Sequence, residues 1–335
     1  MAEYKTFELG PFALQKGTIL PDAKIVYATV GRLNEAKDNA ILLPTWGGGS
    51  PEEAIALMTG PGRSLDPEKY FIVVPNHFNG GFSSSPSNTA SPFEQGRFPR
   101  LTTYDSVIAQ RRLLTEVFGI ARLRLVAGWS MGGMVAYHWA ALFPDAVRAI
   151  VPIAGAARTA LFNKVFIAGI RSAITSDPDW KDGFYDKPPI RGLRLFGRIY
   201  AGWGFSEAFY REEVFKSAFG ASSLEKFIET FWEGFFIKSD ANNLVSQMWT
   251  WEHNDISAHP NFGGNLIKAL SSISARAILL PAASDTYFPP VDGEFEAKHI
   301  PNAELRPIPT IWGHMSPINP TDQAFIDKAL ADALR

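Results

Sequence analysis

The stretch Leu123-Arg124-Leu125-Val126-Ala127-Gly128-Trp129-Ser130-Met131-Gly132-Gly133-Met134 joins a short apolar run to the start of a helical pattern. The run at residues 122–128 is typical of a strand buried in a parallel sheet. From Met131 onward, apolar residues recur at three- and four-residue steps until Pro144, which predicts a helix. The pattern G-x-S-x-G at residues 128–132 therefore lies on a strand-to-helix turn.

This turn makes Ser130 a candidate nucleophile. A serine between a strand and a helix adopts a strained backbone, and flanking glycines let the two elements pass closely. Its hydroxyl then projects above the sheet, beside the positive end of a helix. The pentapeptide alone is weak support, because an ordinary turn serine with glycine neighbours is the alternative explanation. The assignment therefore depends on partners elsewhere in the chain.

Composition restricts the classes of protein to which the chain can belong. Its length of 335 residues fits one α/β core that carries an insertion. Hydrophobic residues make up 46% and charged residues 20%, a balance typical of a globular protein. The formal net charge of −2 gives no field that would gather nucleic acid or an anionic membrane, so we expect neither partner. The chain has no cysteine, which excludes disulfides, thiolate metal sites and cysteine nucleophiles. We predict no metal and no cofactor.

Two further features concern location. The N-terminal stretch Met1-Ala2-Glu3-Tyr4-Lys5 lacks the basic start and the apolar core of a signal peptide. No apolar run approaches the length of a membrane span. We therefore expect a cytoplasmic protein.

Strand and helix patterns alternate along much of the chain, which predicts an α/β fold with a mostly parallel central sheet flanked by helices. Residues 6–14 and 19–30 favour an antiparallel hairpin at one edge of this sheet. The other predicted strands are 40–43, 70–74, 122–128, 147–154, 277–282 and 305–311. The predicted helices are 51–58, 103–118, 131–143 and 321–334.

The alternation lapses after Ala154 and returns with the apolar run at residues 277–282. We interpret residues 158–270, which are mostly helical in pattern and rich in tryptophan and phenylalanine, as a helical cap. This cap is inserted between two parts of the core, residues 1–157 and 271–335. Its aromatic residues form either the core of the cap, the commoner role of large apolar side chains, or a binding pocket.

A serine hydroxyl becomes a strong nucleophile only when a base takes its proton and a third group orients that base. In α/β-hydrolase cores the chain order is serine, acid, histidine. Asp285 follows the strand predicted at 277–282, at the sheet edge where open α/β sheets bind ligands. His314 follows the next predicted strand. Chain order and strand-end position select Asp285 over its rival Asp292, and His314 over the other histidines.

Acyl chemistry also requires N–H donors for an oxyanion. One is expected from the backbone of Met131, the residue after the nucleophile. The second is expected from the loop Pro44-Thr45-Trp46-Gly47-Gly48-Gly49-Ser50, whose glycines let the backbone pass close to a substrate; Trp46 is the candidate. A phosphate-binding loop is the alternative, but the lysine and spacing of a P-loop and the pattern G-x-G-x-x-G are missing.

Together these features resemble the homoserine O-acetyltransferase branch of the α/β-hydrolase superfamily. The resemblance covers nearly the whole chain, and several of its motifs are specific to this branch. The matching stretches are residues 27–34, 60–62, 65–66, 69–71, 130–134, 239–242, 284–285, 288–289 and 313–314. The resemblance implies the α/β-hydrolase fold, a Ser-His-Asp triad acting through an acyl-enzyme, a helical cap over the site and often a homodimer joined through the caps.

Two positions depart from the pattern of this branch. Its members usually follow the catalytic histidine with an aspartate that suits a substrate ammonium, whereas here the residue is Met315, whose thioether cannot pair with an ammonium ion. The position before the nucleophile, usually a second glycine, is Trp129. We expect both side chains to contact the substrate. Arg194 and Arg198, in the predicted cap, are the candidates for holding a substrate carboxylate.

The leading hypothesis is an esterase-like serine hydrolase acting on a carboxylic ester or similar small-molecule acyl compound. Ser130 is the nucleophile, His314 the general acid/base, Asp285 the orienting carboxylate, and water the acyl acceptor. The alternative is an O-acyltransferase that takes its acyl group from acetyl-CoA or another acyl-CoA as co-substrate. A third hypothesis, a non-catalytic binding protein, is disfavoured because the three reactive groups stand in the right order. Hydrolysis and transfer share an acyl-enzyme and differ in whether the cap excludes water.

Overall fold

Eight strands form one sheet among residues 3–335, the part of the chain that the computed structural model describes. The strands are β1 Lys5–Ala13, β2 Ile19–Val30, β3 Ala40–Leu42, β4 Phe71–Pro75, β5 Leu125–Trp129, β6 Ala149–Ile153, β7 Arg276–Leu279 and β8 Ala303–Leu305. Their order across the sheet is β1-β2-β4-β3-β5-β6-β7-β8. β2 pairs antiparallel with β1 and β4, and the remaining neighbours are parallel. The predicted edge hairpin and mostly parallel sheet are confirmed.

Helices cover both faces of this sheet, as predicted. The α-helices are α1 Pro51–Met58, α2 Thr103–Arg112, α3 Met131–Leu142, α4 Leu161–Thr175, α5 Ile190–Gly204, α6 Glu207–Arg211, α7 Val214–Phe219, α8 Leu224–Phe227, α9 Gly234–Phe236, α10 Ala241–Glu252, α11 Leu266–Ser271, α12 Pro290–His299 and α13 Pro320–Leu334. Short 3-10 helices lie at Gln95–Arg97, Pro144–Ala146, Lys181–Gly183, Ile256–Ala258 and Gly313–Ile318, and π-helical segments at Leu113–Val117 and Ile228–Glu233. Buried residues of α2 and α3 pack on one face, and those of α1 and α13 on the other. No helix within the described range is long and apolar enough to cross a membrane.

The structure departs from the predicted boundaries at two elements. The helix predicted at 103–118 is α-helical only to Arg112 and continues as the π-helical segment Leu113–Val117. The strand predicted at 305–311 is reduced to β8, followed by a single bridge between Ala282 and Ile308. Arg306 and Ile308 still donate their N–H groups to Leu279 O and Pro281 O at 2.9 Å and 2.8 Å. Pro281 has no N–H to donate in return, so the ladder is interrupted beyond β8.

The helices from α4 to α10 form the cap, which has its own aromatic-rich cluster of buried residues. The cap joins the core through two backbone segments that lie side by side. Thr159 N–H donates to Asn254 O at 3.0 Å, and Arg158 forms a bridge and an ion pair of 2.9 Å with Asp255. At the far end of the predicted cap range of 158–270, Ile256 and the buried residues of α11 pack with the core cluster.

Candidate active site

Ser130 occupies the turn between β5 and α3, as the sequence pattern predicted. Its φ is 58° and its ψ is −118°, a left-handed conformation that non-glycine residues rarely adopt. Such a conformation costs about 1–3 kcal/mol and persists only where the surroundings enforce it. Here the Ser130 N–H donates to Ile153 O of β6 at 2.9 Å, which anchors the turn to the neighbouring strand.

Two glycines around the serine have no room for a side chain. A Cβ on Gly128 would lie 2.6 Å from the carbonyl carbon of Gly132, and a Cβ on Gly132 would lie 2.6 Å from Pro44 O. These contacts explain the G-x-S-x-G pattern, because β5 and α3 cross at backbone distance. They also bring the loop that follows β3 onto the first turn of α3.

Asp285 and His314 form a buried hydrogen-bonded pair. His314 Nδ1 donates to Asp285 Oδ2 at 2.8 Å, and Asp285 Oδ1 accepts the N–H groups of Tyr287 and Phe288 at 3.0 Å each. The carboxylate thus fixes the imidazole with its proton on Nδ1, which leaves Nε2 as the acceptor. Asp292, the rival acid, lies in the first turn of α12 and lines a different, small cleft.

Ser130 and His314 line the same cavity between the core and the cap, with a volume of about 250 Å³. The core contributes Trp46, Gly47, Gly48, Trp129, Ser130, Met131, His314, Met315 and Ile318. The cap contributes Phe196, Tyr200, Phe231, Trp232, Phe235, Phe236, Leu244, Gln247, Met248 and Trp251. Among the described residues, the lining includes no aspartate, glutamate, lysine or arginine. The site is therefore a small apolar chamber, below the usual range of pockets for drug-sized ligands.

The polar groups of this chamber are few. Burial raises the pKa of Tyr200 to about 12, so its phenol stays protonated and able to donate a hydrogen bond. The Gln247 amide nitrogen is engaged, because it donates to Asn79 O at 2.7 Å. Within residues 3–335 no hydrogen bond joins the Ser130 and His314 side chains. Catalytic hydrogen bonds often tighten only when substrate is bound.

The two backbone groups predicted as oxyanion donors, on Trp46 and Met131, belong to residues that line the cavity. Met131 is the first residue of α3, so its N–H has no acceptor within the helix. The Trp46 loop lies close beside it, since a Cβ on Gly47 would lie 2.9 Å from the Met131 sulfur. The structure therefore brings both residues next to Ser130.

A pair of side chains that the sequence analysis did not identify holds the Trp46 loop in place. His77 Nε2 donates to Thr45 O at 2.5 Å, and Asn76 Nδ2 donates to Gly49 O at 3.1 Å. Burial lowers the pKa of His77 to about 4, so its ring is neutral at pH 7. Both residues directly follow β4, and their position at a carboxyl strand end is the signal that could have identified them.

Arg194 and Arg198, the residues predicted to hold a substrate carboxylate, do not line this cavity, so the structure does not bring them to Ser130. Both pair with Glu233, with Nε to Oε distances of 3.5 Å for Arg194 and 2.6 Å for Arg198, and they line a separate surface cleft. The reason is helical periodicity. Phe196 and Tyr200 present one face of α5 to the cavity, and residues two positions earlier point to the opposite side.

Trp129 and Met315, the two departures from the family pattern, both line the cavity. The Trp129 ring lies 5.0 Å from that of Trp46 and 5.6 Å from that of His314, measured between ring centres. Met315 follows His314 in the 3-10 helix Gly313–Ile318. The residue next to the catalytic histidine candidate thus adds an apolar surface to the chamber, where an aspartate would add a charge.

Residues 41–319 match the family described as the alpha/beta hydrolase fold. An ethyl acetate hydrolase from Pseudomonas veronii is 37% identical over 97% of this chain and 93% of its own length. A probable esterase from Corynebacterium glutamicum is 36% identical over 98% of this chain and 95% of its own length.

A solved acetyl esterase superposes with a TM-score of 0.97 at 36% identity, covering 99% of this chain and 96% of that one. Homoserine O-acetyltransferases also match, at identities of 29% to 32% over more than nine-tenths of this chain. The resemblance to that branch is confirmed.

Proposed function

The chain belongs to the α/β-hydrolase fold family, and from this we propose that it is a serine esterase that hydrolyses small, uncharged carboxylic esters, acetate esters foremost. The observation that carries the proposal is the cavity of about 250 Å³ that Ser130 and the Asp285-bound His314 both line. Within the described part of the chain, its lining includes no aspartate, glutamate, lysine or arginine. The relatives named as ethyl acetate hydrolase and acetyl esterase support the same substrate class.

The proposed reaction proceeds through an acyl-enzyme. His314 Nε2 takes the Ser130 hydroxyl proton as Ser130 Oγ bonds to the ester carbonyl carbon, and the resulting oxyanion accepts N–H groups from Met131 and Trp46. Collapse of this intermediate breaks the bond to the alcohol oxygen, which receives the proton from His314. Water then attacks the acyl carbon while His314 takes its proton, and Ser130 leaves as the alcohol with that proton restored. Asp285 holds the imidazole in place throughout. The reaction as proposed uses no metal or cofactor.

The cavity favours hydrolysis over the transferase alternative. Homoserine carries an ammonium and a carboxylate, and burying either without a partner costs several kcal/mol. The chamber offers no charged side chain, Met315 stands where an aspartate would suit the ammonium, and both candidate arginines face another cleft. Acetyl-CoA, the co-substrate of the alternative, carries phosphates that the lining cannot pair either. A non-catalytic role would leave the strained Ser130 and its ordered partners unexplained.

The proposal is tested by comparing two assays on the same preparation, hydrolysis of p-nitrophenyl acetate and acetyl transfer from acetyl-CoA to homoserine. We expect hydrolysis to dominate and Ser130→Ala to lower it by several orders of magnitude. A fluorophosphonate probe should add its mass to the peptide containing Ser130. Ser217→Ala, at an exposed serine of the cap, is the matched control. Labelling at full rate in Ser130→Ala would refute the assignment of the nucleophile.

Partners and location are further parts of the proposal. We expect a homodimer joined through the caps, supported by Leu161, Phe162 and Val165 of α4, which are 81%, 57% and 65% exposed. Contiguous exposed apolar side chains mark association surfaces, and analytical ultracentrifugation measures the outcome. We also expect a cytoplasmic protein without nucleic-acid or membrane partners.

A further inference from the structure

The cap helix α5 carries two glycines at positions where the residue Trp232 presses against its backbone. A Cβ on Gly204 would overlap the Trp232 ring, lying 2.7 Å from Cζ2 and closer still to Cη2. A Cβ on Gly197, two turns earlier on the same helix, would lie 2.9 Å from Trp232 O. Gly197 thus makes room for the backbone of Trp232, and Gly204 makes room for its indole, which lies directly on the helix.

Trp232 is also held from its other sides. It is only 3% exposed, and its ring centre lies 5.1 Å from that of Phe231, 5.4 Å from Tyr200 and 5.6 Å from Phe205. Its backbone belongs to the π-helical segment Ile228–Glu233, a distortion that occurs frequently at functional sites. Packed interiors resist such displacement, so the indole cannot swing aside to admit a larger ligand.

This fixed indole is part of the wall of the cavity that contains Ser130. Phe235, another cap aromatic in this wall, is 43% exposed, whereas Phe196 and Trp251 are as deeply buried as Trp232. Trp232 combines the volume of a tryptophan, which Trp251 shares, with a place in the cavity wall and a ring that lies directly against Gly204 of α5. No polar group is needed for this role, because exclusion by shape depends only on volume and stiffness.

We propose that Trp232, seated on Gly197 and Gly204, sets the upper limit on the size of the ester that the enzyme accepts. The inference rests on the proposed esterase function and goes beyond it by naming the residue that determines chain-length specificity. Esters whose acyl or alcohol chain reaches the indole are excluded because the backbone of α5 and the neighbouring rings block the indole from moving away from the cavity. Each methylene that an apolar pocket accepts or rejects changes kcat/KM by about 10–200-fold.

The test is a chain-length profile with p-nitrophenyl acetate, butyrate, hexanoate and octanoate. Trp232→Leu enlarges the cavity, and we expect the hexanoate-to-acetate ratio of kcat/KM to rise at least about tenfold. Gly204→Ala should act in the opposite direction, because the new methyl pushes the indole into the cavity and lowers the butyrate-to-acetate ratio. Trp249→Leu is the matched control, since Trp249 stacks on His253 outside the cavity and should leave the profile unchanged.

The possible results test the size limit and the esterase function separately. If wild type hydrolyses p-nitrophenyl acetate and Trp232→Leu leaves the ratios unchanged, Trp232 does not set the limit. If wild type hydrolyses no ester of the series, the esterase proposal fails, and the rates at which ethyl and octyl fluorophosphonates label Ser130 then measure the size limit without turnover. Should Trp232→Leu not fold, Trp232→Phe makes the same test with a smaller change, and thermal unfolding identifies which variants are native.

Discussion

The indole N–H of Trp129 donates a hydrogen bond to the backbone carbonyl of His314 at 3.1 Å. Trp129 immediately precedes Ser130 on β5, so a single side chain connects the nucleophile strand to the backbone of the histidine loop. The sequence pattern marked Trp129 only as a bulky residue that contacts the substrate. In the structure it also links the strand that ends at Ser130 to the loop of His314, the two residues that we propose exchange a proton.

Trp129→Phe keeps an aromatic ring and removes this hydrogen bond. The buried His314 carbonyl then loses its partner, at a cost of about 1–3 kcal/mol. We expect kcat for p-nitrophenyl acetate to fall by about tenfold with little change in KM, because the alignment of His314 is affected more than substrate binding. Steady-state kinetics distinguishes the two effects. A higher KM at unchanged kcat would show that Trp129 only binds substrate.

Asp285→Asn should lower kcat by about 10⁴-fold, the effect of removing the orienting carboxylate in a triad of this kind. The amide can no longer hold the imidazole with its proton on Nδ1. Asp292→Asn is the matched control, because Asp292 lies on α12 in a different cleft and should leave kcat within a few-fold. The kcat values of the two variants decide between the carboxylates. A large fall for Asp292→Asn and a small one for Asp285→Asn would assign the orienting role to Asp292.

Wild-type protein should transfer acetyl from acetyl-CoA to homoserine with a kcat/KM below about 10⁴ M⁻¹s⁻¹. The ammonium of homoserine finds no anionic partner beside Met315. Met315→Asp should raise the rate of this transfer and lower the rate of hydrolysis of apolar esters. Met315→Asn is the control, because asparagine has the shape of aspartate without its charge and should not raise the transfer rate. Efficient transfer by the wild type would promote the acyltransferase alternative.

Glu296 provides a prediction about pH and stability. Its buried carboxyl on α12 accepts the Ala157 N–H at 2.6 Å and contacts the Tyr137 hydroxyl of α3, and burial raises its pKa to about 8. The unfolded chain releases this proton near the ordinary pKa of 4.5, whereas the folded chain keeps it up to about pH 8. Its contribution to stability is therefore complete below pH 4.5 and is lost as the pH rises to 8.

Glu296→Gln keeps the shape and an acceptor for Ala157 but has no proton to lose. Urea unfolding at pH 5, 7 and 9 should show the variant gaining stability relative to wild type by a few kcal/mol as pH rises. Tyr137 has its own pKa raised by burial and by Glu296, so it stays neutral across this range. Parallel pH curves for the two proteins would contradict the prediction.

Much of the fold was predictable because local patterns and the tertiary structure agree. The elbow is the clearest case, since Gly128 and Gly132 are required by backbone contacts that any version of this turn would have. The hairpin β1–β2 and helix α1 also follow local signals; Ser50 and Glu53 form a capping box at the predicted start of α1. The order of serine, acid and histidine then selected a pair that lies in hydrogen-bond contact.

The remainder depended on contacts between distant parts of the chain. His77 supports Thr45 across 32 positions of sequence, and no local pattern indicates which buried histidine meets which carbonyl. Arg194 and Arg198 were selected for their charge alone, and their charge does not show that they lie on the face of α5 opposite to Phe196, away from the cavity. The shape of the cavity likewise depends on the seat of Trp232 against Gly204, which no periodicity reveals.

The side-by-side backbone segments at Thr159 and Asn254 have a consequence for how such enzymes diversify. The chain leaves the core and returns to it at adjacent backbone positions. The two ends of the intervening segment are therefore held next to each other by the core. A segment of different length or sequence can then occupy the same place at little cost in closure entropy. Evolution or engineering can therefore replace the whole cap as one unit. The core residues that line the cavity then stay in place.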